Sequence, residues 1–125
     1  MELENLNDLQ YGIEISILNN YLSCYMLDNS DYSEIMETKL DEKLFTKTIT
    51  NTAVARAIRI HQDADYPIDD LIIKDFLDSK MVVNDFEYQD IVGRAVLPVS
   101  HFKYYLKLLG DKVTNDIRKG NLARV

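Results

Sequence analysis

The side chains that could perform chemistry in this sequence are one cysteine, two histidines and many carboxylates. Cys24 stands in an apolar run, which favours a small core residue over a nucleophile. His61 could act as a general base, but its place near the end of an amphipathic helix favours a structural histidine. His101 falls in a first helical turn and is expected to be exposed. We therefore predict no catalytic residue in this chain and expect it not to be an enzyme.

The spacing of residues does not indicate a cofactor site or a metal site. The glycines never form the loop that holds nucleotide phosphates, and one cysteine with two distant histidines cannot supply a structural zinc site. Asp63-x-Asp65 resembles the start of a calcium loop, but Ile68 stands where the loop needs glycine and Lys74 where it needs glutamate. We expect no metal and no cofactor in this chain.

The net charge is −7, from 14 basic and 21 acidic residues. Nucleic-acid binders present basic patches. Here the densest basic positions are interleaved with Asp63, Asp65, Asp111 and Asp116; these positions are Arg56, Arg59, Lys103, Lys107, Lys112, Arg118 and Lys119. We therefore expect weak or no direct contact with nucleic acid, and protein partners instead. The acidic N-terminal segment lacks a signal-peptide pattern, and no apolar run approaches the roughly 20 residues of a membrane span. These features predict a soluble, cytoplasmic protein with no membrane partner.

Apolar residues recur at helical spacing along almost the whole chain. This predicts an all-α fold, a compact bundle of about six helices in a single domain of residues 1–125. The first helix should run from about Asp8 to Met26, with one buried stripe of Tyr11, Ile15, Leu18, Leu22 and Tyr25. Later helices should begin near residues 30, 48, 69, 84 and 100. Residues 81–83 are the only candidate strand.

Three polar residues stand where helix N-caps belong. Asp69 follows Pro67, Asn84 opens a capping-box pattern with Glu87, and Ser100 follows a proline. The fifth helix is expected to face inward with Tyr88, Ile91, Val92 and Ala95. A sixth helix is expected to follow from Ser100.

The order of these segments resembles the N-terminal domain of bacterial replicative DNA helicases of the DnaB family. The resemblance spans about residues 8–125 and is carried by Ile13-Glu14-x-x-Ile17-Leu18, Leu27-Asp28-Asn29, Asp41-x-x-x-Phe45, Tyr66-Pro67-Ile68-Asp69 and Phe102-x-x-Tyr105-x-x-x-Leu109. The chain departs from the family where small residues are usual, with Asn19, Asn20 and Ser23. The linker and motor of the family are missing and the sequence stops at Val125. We therefore expect an excised domain or a divergent standalone homologue.

The resemblance implies a non-catalytic interaction domain. It implies that residues 100–125 form the first helix of a C-terminal helical hairpin. It also implies self-association through that hairpin, as a dimer for the fragment and a hexameric ring for the full-length protein, and binding of the primase C-terminal domain during DNA replication. A helicase loader is a further partner that it allows. ATP and magnesium are expected only for the absent motor domain. Two alternatives stay open: the helicase-binding C-terminal domain of a primase, which has a similar helical fold, and a standalone phage or plasmid regulator that mimics the domain. A hydrolase using acidic residues has no motif behind it.

Two sets of residues are candidates for these contacts. The candidates for self-association lie on the last helix. Its inward stripe carries Phe102, Tyr105 and Leu109, and a neighbouring face carries Tyr104, Leu108 and Lys112. Exposed Tyr and Leu on one face suggest a contact surface, although Tyr104 and Leu108 could equally pack under chain that continues beyond Val125. For a protein partner the candidates are Arg56, Arg59, Tyr66, Asp69 and Asp70, with a solvated helix face as the alternative for each.

Overall fold

The computed structural model describes residues 2–80 and 83–124, with the side chains of residues 9–80 and 83–114. Within those ranges it contains six α-helices, two 3₁₀ helices and no strand, which confirms the all-α prediction. Met81 and Val82, from the candidate strand, lie outside the described residues. Among those described, no helix is long and apolar enough to cross a membrane. The helices are α1 (Glu2–Ser23), α2 (Asn29–Glu37), α3 (Ile49–Asp63), α4 (Asp70–Lys80), α5 (Asp85–Val92) and α6 (Val99–Arg124), with 3₁₀ helices at Cys24–Met26 and Glu42–Leu44.

Helix α1 is the centre of the bundle. Every residue from 13 to 22 is buried, and α2, α3, α4, α5 and α6 all contact this helix. A helix is buried on all sides only when other elements cover its whole circumference. The prediction of a single buried stripe was therefore too narrow. It was also wrong for Tyr25, whose side chain is 54% exposed because α1 ends at Ser23 and the chain turns through a 3₁₀ helix.

Buried polar groups on α1 hold the chain before α3 in place. The Glu14 side chain is fully buried. Its carboxylate accepts hydrogen bonds from the Asn51 side-chain amide at 3.0 Å, from the Lys47 backbone amide at 3.2 and 3.3 Å, and from the Gln10 side chain at 2.9 Å. A buried carboxylate is tolerated only when its oxygens are satisfied in this way. Glu14 therefore fixes the segment through which the chain enters α3.

A second pair of buried α1 residues holds the chain before α6. Asn20 donates to the Leu97 carbonyl at 3.0 Å and accepts from the Leu97 amide at 2.8 Å, so its side chain satisfies both backbone groups of one residue. Asn19 donates to the Arg94 carbonyl. Small residues at these positions could not make such bonds.

The helix starts follow the predicted caps in two of three cases. Asp69 accepts from the Ile72 amide at 2.8 Å, and Asn84 from the Glu87 amide at 3.0 Å. The capping box is modified, because the Asn84 amide donates to the Thr50 hydroxyl rather than to Glu87. The third prediction, Ser100, was wrong, because α6 already begins at Val99.

Two further details of the α5–α6 region differ from the prediction. Helix α5 ends at Val92, so Ala95 lies outside it and is exposed rather than buried. The Phe102 amide donates to the Pro98 carbonyl at 3.0 Å, which places the start of α6 directly after the proline. The predicted inward stripe of α5 is otherwise observed, with Tyr88 and Ile91 buried.

Removal of the Glu14 carboxylate should destabilise the whole fold. In Glu14→Ala the partly buried backbone amide of Lys47 and the buried side-chain amide of Asn51 lose their acceptor, and each stranded donor costs about 1–3 kcal/mol. We expect the free energy of unfolding to fall by about 3 kcal/mol in Glu14→Ala and by about 1 kcal/mol in Glu14→Gln, which keeps one acceptor oxygen. Urea denaturation followed by circular dichroism measures both. Equal stabilities for the wild type and Glu14→Ala would contradict this assignment.

Candidate interaction surfaces

Helix α6 has one side in the core and another towards solvent. Phe102 and Leu109 are fully buried, and the Phe102 ring packs edge-to-face on Tyr21 with centroids 5.3 Å apart. Tyr105 is partly buried against the same core. Phe102 and Leu109 therefore support α6 from within and, as placed here, cannot themselves contact another molecule, which corrects their inclusion among the self-association candidates.

The neighbouring side of α6 carries the other three candidates, Tyr104, Leu108 and Lys112, which we call the Tyr104 face. Tyr104 is 58% exposed, and Leu108 and Lys112 are half-buried. One ion pair next to this face, between Lys103 and Glu34, joins α6 to α2. The helix is thus held on its inner side while a large aromatic ring remains accessible on the other.

The two arginines proposed for partner binding are engaged within the chain. Arg56 Nε lies 3.2 Å from the Glu42 carboxylate. Arg59 lies 3.1 Å from the Asp63 carboxylate and also donates to the Leu40 carbonyl at 3.0 Å. Both pairs are largely exposed, so their contribution to stability is small. Arg59 is the more constrained of the two, because it links α3 to the chain that follows α2.

Tyr66 has a structural role at the end of α3. Asp65 adopts a positive φ of 56°, the Tyr66 amide donates to the His61 carbonyl at 2.9 Å, and the Asp65 amide donates to the Gln62 carbonyl at 3.2 Å. This is the Schellman arrangement that ends many helices. Its usual side-chain contact is also present, since the Tyr66 and His61 rings meet edge-to-face at 6.0 Å. Tyr66 nevertheless remains 60% exposed.

Asp69 and Asp70 serve the start of α4. The Asp69 carboxylate is used as the N-cap, and the Asp70 carbonyl accepts from the Tyr88 hydroxyl at 2.6 Å. The five partner-binding candidates thus belong to three separate local structures: the outer side of α3, the turn after α3 and the first turn of α4. The structure does not bring them together into one surface.

Two highly exposed apolar residues were not singled out from the sequence. Ile49 is 85% exposed at the start of α3, and Phe86 is 86% exposed in the first turn of α5. A groove of about 370 Å³ lies beside Ile49. The available sequence signal was position, because both residues fall in first helical turns outside the inward stripes. Large apolar side chains left in solvent often mark contact surfaces.

The residues considered for chemistry lie in structural surroundings. Cys24 is buried, and burial raises the pKa of its thiol to about 11, which disfavours the thiolate. His61 is buried, with Nδ1 2.7 Å from the Ala57 carbonyl and its ring edge-to-face with Phe76. Over the described part of the chain, no three His, Cys, Asp or Glu residues lie close enough together to hold a metal ion.

Comparison of the chain with protein-family models, with curated proteins and with solved structures finds no match.

Proposed function

We propose that this chain is a non-catalytic protein-interaction domain of a replicative DNA helicase, of the kind that its resemblance to the DnaB family implies. It associates with copies of itself through the Tyr104 face of α6, and it binds the C-terminal domain of primase during DNA replication. In such a helicase, ATP hydrolysis would belong to a separate motor domain. Two features of the molecule support this proposal: the order of the helices and the accessibility of the Tyr104 face of α6.

The helix order agrees with the resemblance at the positions that carry it. Ile13 and Glu14 lie in the long first helix, and Pro67-Ile68-Asp69 joins α3 to α4 with Asp69 as the N-cap. Pro98 precedes a long last helix. Other all-α chains can have the same helix order. Self-association is therefore supported by the surface chemistry of α6 as well as by helix order.

The observation that carries the proposal is the exposed Tyr104 on a helix that is otherwise fixed to the core. Tyrosine is enriched among the residues that dominate binding energy at protein interfaces, because a rigid aromatic ring contributes a large contact area. With Tyr21 and Phe102 packed behind it, α6 presents Tyr104 on a preformed surface. Little ordering is then needed when a partner binds.

Self-association is expected to depend on Tyr104. Sedimentation velocity over a concentration series should show association of the wild type, and Tyr104→Ala should weaken it at least roughly tenfold, since a hot-spot residue contributes more than about 1.4 kcal/mol. Tyr25→Ala is the matched control, because Tyr25 has similar exposure, 54% against 58%, and belongs to the 3₁₀ helix after α1 instead of α6. The α6 interface is excluded if both variants associate like the wild type.

Primase binding is the more specific part of the proposal. Calorimetric titration of the folded domain, at moderate salt, with the C-terminal domain of the primase from the same genome should give saturable binding. We expect Tyr66→Ala to weaken it roughly tenfold if the turn after α3 forms the contact, because Tyr66 is 60% exposed there. Absence of heat and of any complex by sedimentation, with circular dichroism showing a folded domain, would reject the helicase assignment even if self-association is observed.

A further inference from the structure

A groove of about 370 Å³ lies at the N-terminal end of α3, formed by residues 46–49 with Thr52, Ala53 and Arg56. Ile49 stands at its edge, 85% exposed. The only charged residues in this lining are basic, Lys47 and Arg56. Arg56 is already paired with Glu42, so the groove combines an apolar surface with the positive charge of Lys47, which suits an apolar side chain flanked by carboxylates.

The first turn of α5 has the opposite character. Phe86 projects into solvent with 86% of its surface exposed. Asp85, Glu87 and Asp90 surround it in sequence, and α5 contains no basic residue. Asp85 pairs with Lys74 of α4 at 3.0 Å, so Glu87 and Asp90 supply most of the negative charge. Transfer of a phenylalanine side chain from solvent into an apolar site is favourable. Phe86 and its acidic neighbours thus have the chemistry that the groove requires.

The groove and Phe86 lie on adjoining parts of the surface. The Thr50 hydroxyl donates to the Glu87 carboxylate at 3.0 Å and accepts from the Asn84 amide at 3.3 Å. Ile49 is the residue before Thr50, and Phe86 is the residue before Glu87. The Thr50–Glu87 hydrogen bond therefore joins the two segments that carry the exposed side chains. A surface that holds both a projecting side chain and its matching groove is self-complementary, and two copies related by a two-fold axis can satisfy both contacts at once.

We propose that this face, comprising the groove and Phe86, binds a second copy of the chain, with Phe86 of each copy seated in the groove of the other. The acidic first turn of one α5 then lies against Lys47 of the partner copy. This contact is separate from the Tyr104 face of α6 and does not depend on the proposed helicase function. It gives the domain a second surface for self-association.

Two exposed substitutions test the contact without altering the core. Phe86→Ser removes the projecting side chain and leaves the groove, whereas Ile49→Glu alters the groove and leaves Phe86. Both should be made in the Tyr104→Ala background, so that association through α6 does not contribute. Sedimentation velocity should show at least roughly tenfold weaker self-association for each variant than for its parent. Met26→Ser, 62% exposed beyond the end of α1, is the control and should associate like the parent.

A mixture of the two variants identifies the arrangement. A homodimer of Phe86→Ser lacks both Phe86 side chains, and a homodimer of Ile49→Glu has two altered grooves. A mixed dimer retains one intact contact, between Phe86 of the Ile49→Glu copy and the groove of the Phe86→Ser copy. We therefore expect the mixture to associate more tightly than either variant alone, with unchanged circular dichroism and melting temperature for both. The proposal fails if Phe86→Ser associates like its parent, if the mixture is no tighter than the single variants, or if the parent stays monomeric at millimolar concentration.

Discussion

Helix α1 is buried on every side from residue 13 to residue 22, yet it carries polar side chains that must be satisfied away from water. Glu14 and Asn20 meet this requirement by binding backbone groups of two distant segments, before α3 and before α6. Because an unsatisfied buried polar group costs more than its hydrogen bond contributes, these segments have little freedom to move. The positions of α3 and α6 follow from the central helix.

The proposed interaction surfaces depend on this arrangement. Glu14 fixes residues 47–51, and the same stretch provides Lys47 and Ile49 to the groove and Thr50 to the contact with α5. Asn20 fixes Leu97, two residues before α6 begins and seven before Tyr104. The exposed apolar residues are thereby presented on rigid supports. Binding through preformed surfaces loses less conformational entropy than binding through flexible ones.

The sequence predicted the fold class and most helices, because apolar periodicity and caps such as Asp69 are local signals. It could not predict that α1 is covered on all sides, since that depends on how distant segments pack. Asn19 and Asn20 were recognised only as departures from a family pattern, and their partners lie 75 and 77 residues away. The exposure of Ile49 and Phe86 was not recognised from the sequence, although both residues fall in first helical turns outside the inward stripes.

The central claim is that Asn20 holds the start of α6 from within α1, and native-state hydrogen exchange of Asn20→Ala tests it most directly. The Leu97 amide donates to Asn20 and the Phe102 amide lies in the first turn that follows. We predict that the exchange protection factors of the Leu97 and Phe102 amides fall at least roughly tenfold more than those of the Ala57 and Ile58 amides inside α3. The reason is that the start of α6 then opens locally, without unfolding of the rest of the domain. Equal losses at all four amides, or no loss, would contradict this account.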